Sequence, residues 1–176
     1  PLVINVVTGA SGIGCNGIHW IDFALYLSDS KSGSLLWGEI YPEPVKSGRG
    51  QQFKDYGGCG VFALGEHGSR LILTQNSQSS VPTMVNIVDE HRLLVVDQFS
   101  RETNDVKRSL ESTKPHYLYG QDYDRTTVLD TEVVDWPALT RSWLDSLSGD
   151  AECHLPKLDE SIVAHELMYD LLETSG

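Results

Sequence analysis

The sequence predicts an α+β fold: one mainly antiparallel, open β-sheet with its helices packed on one face. Between residues 55 and 134, apolar runs of strand length follow one another across short turns. Strands joined without crossover helices pair antiparallel. Helical spacing is confined to the two ends, with one apolar helix over 17–28 and two helices after residue 134. A chain of 176 residues with 40% hydrophobic content suffices for a single domain, 1–176, with a core of its own.

Leu2–Thr8 is β-branched and bounded by Gly9 and Ser11, which reads as a strand. In the helix that follows, Ile18, Trp20, Ile21, Phe23, Ala24, Leu25 and Leu27 go nearly all round the wheel, so most of it must be buried. His19, Asp22 and Tyr26 fall at i, i+3 and i+7 on one stripe, which Asn16, the expected N-cap, extends one turn back. An imidazole, a carboxylate and a phenol on one side of a buried helix suit the lining of a site. They equally suit a core histidine satisfied by Asp22 or a carbonyl.

Leu35–Tyr41 is a second strand, and 42–54, rich in Pro, Gly and basic residues, reads as a mobile surface loop. Val61–Leu64 and Arg70–Gln75 flank Gly65–Gly68, and Thr83–Val88 and Arg92–Phe99 flank Asp89–His91, giving two hairpins. Residues 104–115 show no clear element, and Thr126–Val134 is a late strand. Asp135 caps a helix that ends at Gly149, with Trp136, Leu139, Trp143 and Leu147 as its core anchors. The last helix, Leu158–Glu173, carries Asp159 and Glu160 in its first turn, and its His165 is expected to be solvated or capped.

A formal net charge of -12, from 25 acidic against 13 basic residues, argues against nucleic acid or an anionic membrane surface as a partner. Cys15, Cys59 and Cys153 form no CxxC pair and are odd in number, which fits a reduced, cytoplasmic compartment. The histidines at 19, 67, 91, 116, 154 and 165 stand singly, so no metal is expected. No apolar stretch approaches the roughly 20 residues of a membrane span. The chain opens on Pro1 with a strand already under way, which reads as an excerpt from a longer protein.

Gly12, Gly14 and Gly17 spell G-x-G-x-x-G after a strand, with Glu39 at the end of the next, the bare dinucleotide-binding fingerprint. Thr8–Gly14 also resembles the TGxxxGxG turn of short-chain dehydrogenases, one residue short. Three features oppose this alternative. Strand and helix do not keep alternating, no Tyr is followed four residues later by Lys, and a phosphate-binding helix has no need of the His19 stripe. The glycines are therefore expected to serve the turn into the helix, with no cofactor-binding residue in the chain.

Gly17, His19 and Asp22 match a G-x-H-x-x-D motif at the head of an apolar helix. Leu158, Glu160, Ser161, His165 and Glu166 match a closing L-x-E-S-x-x-x-H-E helix. Together with the antiparallel run between them, the chain resembles, over nearly its whole length, the C-terminal domain of the Gfo/Idh/MocA oxidoreductases, the family of glucose-fructose oxidoreductase and inositol dehydrogenase. The fold that this implies is like the C-terminal domain of glyceraldehyde-3-phosphate dehydrogenase, with the 17–28 helix near the sheet's edge, facing a missing N-terminal domain.

The resemblance implies that the missing Rossmann domain binds NAD or NADP and supplies a catalytic lysine, while this domain supplies the pocket for a sugar, polyol or nucleotide sugar. His19 then matches the histidine that takes or gives the hydroxyl proton, a task suited to imidazole near neutral pH. Many members have an aspartate where this chain has Cys15. Asn16 beside it can bond a sugar hydroxyl but carries no charge, and Asp22, with Tyr26 in support, is left to orient His19. Cys15, Asn16, Tyr119 and Arg125 are the expected substrate contacts, the last two from the segment Lys114–Arg125, which also holds Tyr117 and Tyr123 and otherwise reads as an ordinary polar loop. The isolated domain is expected to be inactive, and its sheet face to form a homo-oligomer. The alternative is an oligomerisation or binding module without activity.

Overall fold

The computed structural model describes residues 1–9, 11–46, 50, 52–115, 122–130, 136–149 and 158–175. Its strands are β1 Val3–Gly9, β2 Gly33–Lys46, β3 Lys54–Leu64, β4 Ser69–Asn76, β5 Met84–Val88, β6 Arg92–Asp97, β7 Glu102–Arg108 and β8 Tyr123–Leu129. They form one sheet in the order β2-β3-β4-β1-β5-β6-β7-β8. β1 pairs with β4 in parallel and every other pairing is antiparallel. The helices are α1 Ile18–Leu27, preceded by a wide π-type turn over Ile13–Gly17, α2 Trp136–Leu147 and α3 Leu158–Leu172. The mainly antiparallel α+β architecture expected from the sequence is thus the observed one.

Alternation along the central strands decides which face is buried. Ile4 and Val6 of β1, Phe62 and Leu64 of β3, and Leu71 and Leu73 of β4 are fully buried on one side. Ile21, Ala24 and Leu25 of α1 and Ala164, Leu167, Met168 and Leu171 of α3 close over them to form a single core. α3 sits tight on β2, where a Cβ on Gly38 would lie 2.5 Å from Leu171 Cδ1. The other sheet face carries no helix among the described residues, and it leaves Val3, Trp37, Ile72 and Val88 between 37% and 53% exposed.

Several expectations are corrected. α1 packs on the centre of the sheet, beside β4, not near its edge, because β1 feeds it from mid-sheet. The segment read as a loop from residue 42 continues β2 as far as Lys46, past an irregularity in its pairing between Ile40 and Pro44. β7 occupies part of the stretch in which no element was evident, and the late strand runs Tyr123–Leu129, so its expected end at 131–134 lies outside the described residues. Trp143 is 41% exposed and is no core anchor, while the side chains of Trp136, Leu139 and Leu147 lie outside the described residues. His165 behaves as expected: it is exposed, and its Nδ1 donates to the Ser161 carbonyl at 2.7 Å.

Candidate active-site cleft

The glycine turn is built to admit two side chains rising from the sheet. Asp55 of β3 accepts the Gly14 N–H at 2.9 Å and the Cys15 N–H at 2.8 Å, so a carboxylate from another strand satisfies the free donors that open a helix. A Cβ on Gly12 would lie 2.1 Å from Asp55 Cγ, and one on Gly17 2.9 Å from Oε1 of the fully buried Gln75. The fingerprint glycines thus surround the chain's own anion where the dinucleotide reading put a pyrophosphate. Asn16 is not the N-cap. It lies inside the turn, its N–H donating to the Gly12 carbonyl at 2.9 Å, which leaves its side chain exposed.

This turn and the first residues of α1 form one wall of a cleft of about 440 Å³. Asn16, His19, Trp20 and Phe23 come from the wall, and Thr8, Thr83 and Gln98 come from the ends of three adjacent strands. His19 is exposed and no described residue hydrogen-bonds its imidazole, so the core-histidine reading is set aside. Trp20 and Phe23 meet edge to face, 6.0 Å between centroids at 88°. Apart from His19, no described residue that lines the cleft is ionisable.

His19 and Asn16 therefore share a cleft, whereas the other expected site residues that are described stand apart from it. Cys15 is half-buried, with its N–H on Asp55. Asp22 is half-buried and Tyr26 is 77% exposed, and neither lines the cleft. Strand pairing carries the row Val3, Val88, Leu93, Val106, Arg125 across the sheet, which puts Arg125 on the open face, opposite His19. Lys114 Nζ meets Asp122 Oδ1 at 3.0 Å, away from the cleft. Tyr117 and Tyr119 lie outside the described residues.

Sequence reasoning missed Asp55, Thr83 and Gln98. Thr8 was missed as well, although it left a signal as the polar end of an inward series Ile4, Val6, Thr8. Among the described residues no three His, Cys, Asp or Glu side chains gather as metal ligands, and no helix is long and apolar enough to cross a membrane.

No protein-family model and no curated protein matches the sequence. Solved structures do. A super-repressor mutant of Gal80p from Saccharomyces cerevisiae matches 98% of this chain and 55% of its own length, at 9% identity and a TM-score of 0.69. UDP-N-acetylglucosamine 3-dehydrogenase from Acidithiobacillus ferrooxidans matches 97% of this chain and 52% of its own length, at 10% identity and a TM-score of 0.62. An NAD-binding protein from Listeria innocua matches 97% and 56%, at 14% identity and a TM-score of 0.63. The chain spans about half the length of these structures, and the likeness establishes the fold, that of the C-terminal domain of Gfo/Idh/MocA-type oxidoreductases.

Proposed function

We propose that this chain is the substrate-binding half of an NAD(P)-dependent oxidoreductase that acts on a CH–OH group of a sugar, polyol or nucleotide sugar. One observation carries the reading: an imidazole with no hydrogen-bond partner among the described residues stands at a cleft lined by hydroxyls, amides and two aromatic rings. Imidazole moves protons near neutral pH, and hydroxyl and amide groups around a ring-sized hollow suit a polyhydroxylated ligand. Free thiols at Cys15 and Cys59 support a reduced, cytoplasmic setting.

The chain's own glycine turn does not fit a nucleotide phosphate, because Asp55 already takes its N–H groups. The nucleotide is therefore assigned to a Rossmann domain outside these residues, and accepting or giving hydride is the chemistry that it supplies when bound. This chain's part is the proton. With a carbinol in the cleft, neutral His19 takes the hydroxyl proton as the C–H bond breaks, and Asn16 holds a neighbouring hydroxyl. In reduction the protonated imidazole returns the proton to the carbonyl oxygen. Exposed Val81 and Phe99, on loops at this end of the sheet, form an apolar rim for the other domain to cover.

The test compares the full-length protein with residues 1–176 alone. Full-length protein is expected to reduce NAD or NADP with at least one such alcohol, and the isolated chain to show neither turnover nor nucleotide binding by calorimetry. Micromolar nucleotide binding by 1–176 contradicts the assignment.

A second reading rests on the open sheet face. Val3, Trp37, Ile72 and Val88 make an apolar surface, exposed among the described residues, that suits a second copy of the chain, and this role is compatible with the first.

A further inference from the structure

A directional hydrogen-bond chain runs under the cleft. The amide of buried Gln75 donates through Nε2 to Ser11 Oγ at 3.1 Å, and Ser11 Oγ lies 3.4 Å from Thr8 Oγ1. Thr8 Oγ1 lies 3.4 Å from the Gly9 carbonyl oxygen, which can only accept, so the Thr8 proton goes there. With Thr8 donating to Gly9 and Ser11 accepting from Gln75, the Ser11 hydroxyl is left to donate to Thr8. Thr83 Oγ1 donates to Thr8 Oγ1 at 3.0 Å, its one hydrogen-bond partner through the hydroxyl among the described residues, so its proton is spent on Thr8. What Thr83 offers the cleft is a lone pair.

We propose that Thr83 is a specificity-determining residue that accepts a hydrogen bond from a hydroxyl of an uncharged, polyhydroxylated ligand, with Gln75, Ser11 and Thr8 holding its proton away from the cleft. This rests on the reading of the cleft as a substrate site. Gln98, beside Thr83 on the next strand through its N–H to the Thr83 carbonyl at 3.1 Å, brings an amide that either donates or accepts. Thr83 accordingly selects for a donor, whereas Gln98 tolerates both. A ligand with an ether, keto or carboxylate oxygen at that position sets acceptor against acceptor and is rejected. Burying a committed acceptor without a donor is what makes the discrimination large.

The experiment uses the full-length protein with glucose, galactose, myo-inositol and xylitol as neutral probes. Thr83→Val keeps the shape and removes the acceptor. It is expected to raise the calorimetric Kd and the KM for the preferred probe about tenfold, with kcat within about twofold and an unchanged pH profile, and Thr83→Ser is expected to restore both. A deoxy analogue of the probe that lacks the bonded hydroxyl is expected to be discriminated against by wild type but not by Thr83→Val. Unchanged Kd and KM in Thr83→Val, or failure of all four probes to bind wild type, overturns the proposal. Full turnover in His19→Ala sinks the general-base reading instead, and leaves the Kd comparison to decide on Thr83.

Discussion

At Gly12, one added methyl group would sit 2.1 Å from the Asp55 carboxylate carbon, and that carboxylate holds the N–H groups of Gly14 and Cys15. Asp55→Ala is expected to cost about 1–2 kcal/mol in thermal or denaturant unfolding, the usual loss of a capping side chain. It also frees the turn that aims Asn16 and His19, so kcat in the full-length protein is expected to fall while nucleotide affinity holds. Equal stability of Asp55→Ala and wild type would refute the capping role. Another residue reads out by titration. The Tyr41 phenol is pushed up to about 12, first by its hydrogen bond with Cys59 Sγ at 3.0 Å and then by burial. Because folding favours the neutral phenol, this stabilisation is intact below about pH 10 and disappears as pH rises to about 12. Phenolate absorbance is expected to show one late-titrating tyrosine that moves to the ordinary range in Cys59→Ala.

The elements show where the sequence was readable. Apolar residues nearly all round the wheel, broken by one polar stripe through His19, marked α1, β-branching marked β1, and apolar runs flanking a glycine turn marked β3 and β4. β7 was invisible because its sequence, Glu-Thr-Asn-Asp-Val-Lys-Arg, has no apolar alternation. What identifies it is cross-strand pairing, as Asp105 takes a two-pronged bond from Arg92 at 2.8 and 2.9 Å and meets Lys107 at 2.9 Å. Arg92 first, then Lys107, holds the Asp105 carboxylate down at about 2. A lowered carboxyl stabilises the fold above its ordinary value near 4 and loses that contribution as pH falls towards 2. Wild type and Asp105→Asn are expected to melt together at pH 2 and to separate above pH 4. Identical melting temperatures at pH 6 would show that the pair contributes nothing. On the helix side, Leu171 is fully buried against the strand glycines, and Leu171→Ala is expected to lower stability by about 2–5 kcal/mol.

For the whole molecule, the order of strands and the parallel β1–β4 pair lay beyond the sequence, since alternation tells which face is buried but not which neighbour a strand takes. The same limit hid the cleft floor, because Thr8, Thr83 and Gln98 are far apart in the chain and meet only through strand register. The place of His19 on the cleft wall was legible because polar residues on an apolar helix stand out, whereas the place of Arg125 on the open face was not, because a loop reading says nothing of sheet face. The open face makes its own prediction at this scale. Light scattering is expected to give a dimer or larger, reduced to monomer by Trp37→Asp with Ile72→Asp, and a wild-type monomer contradicts the second reading.

Proton transfer by His19 is tested by the single-turnover rate of hydride transfer in the full-length protein with His19→Ala, alongside nucleotide affinity. The chemical step is expected to slow by about 100- to 10,000-fold with nucleotide Kd nearly unchanged, the usual loss for a positioned general acid or base. A single-turnover rate within about threefold of wild type would contradict it.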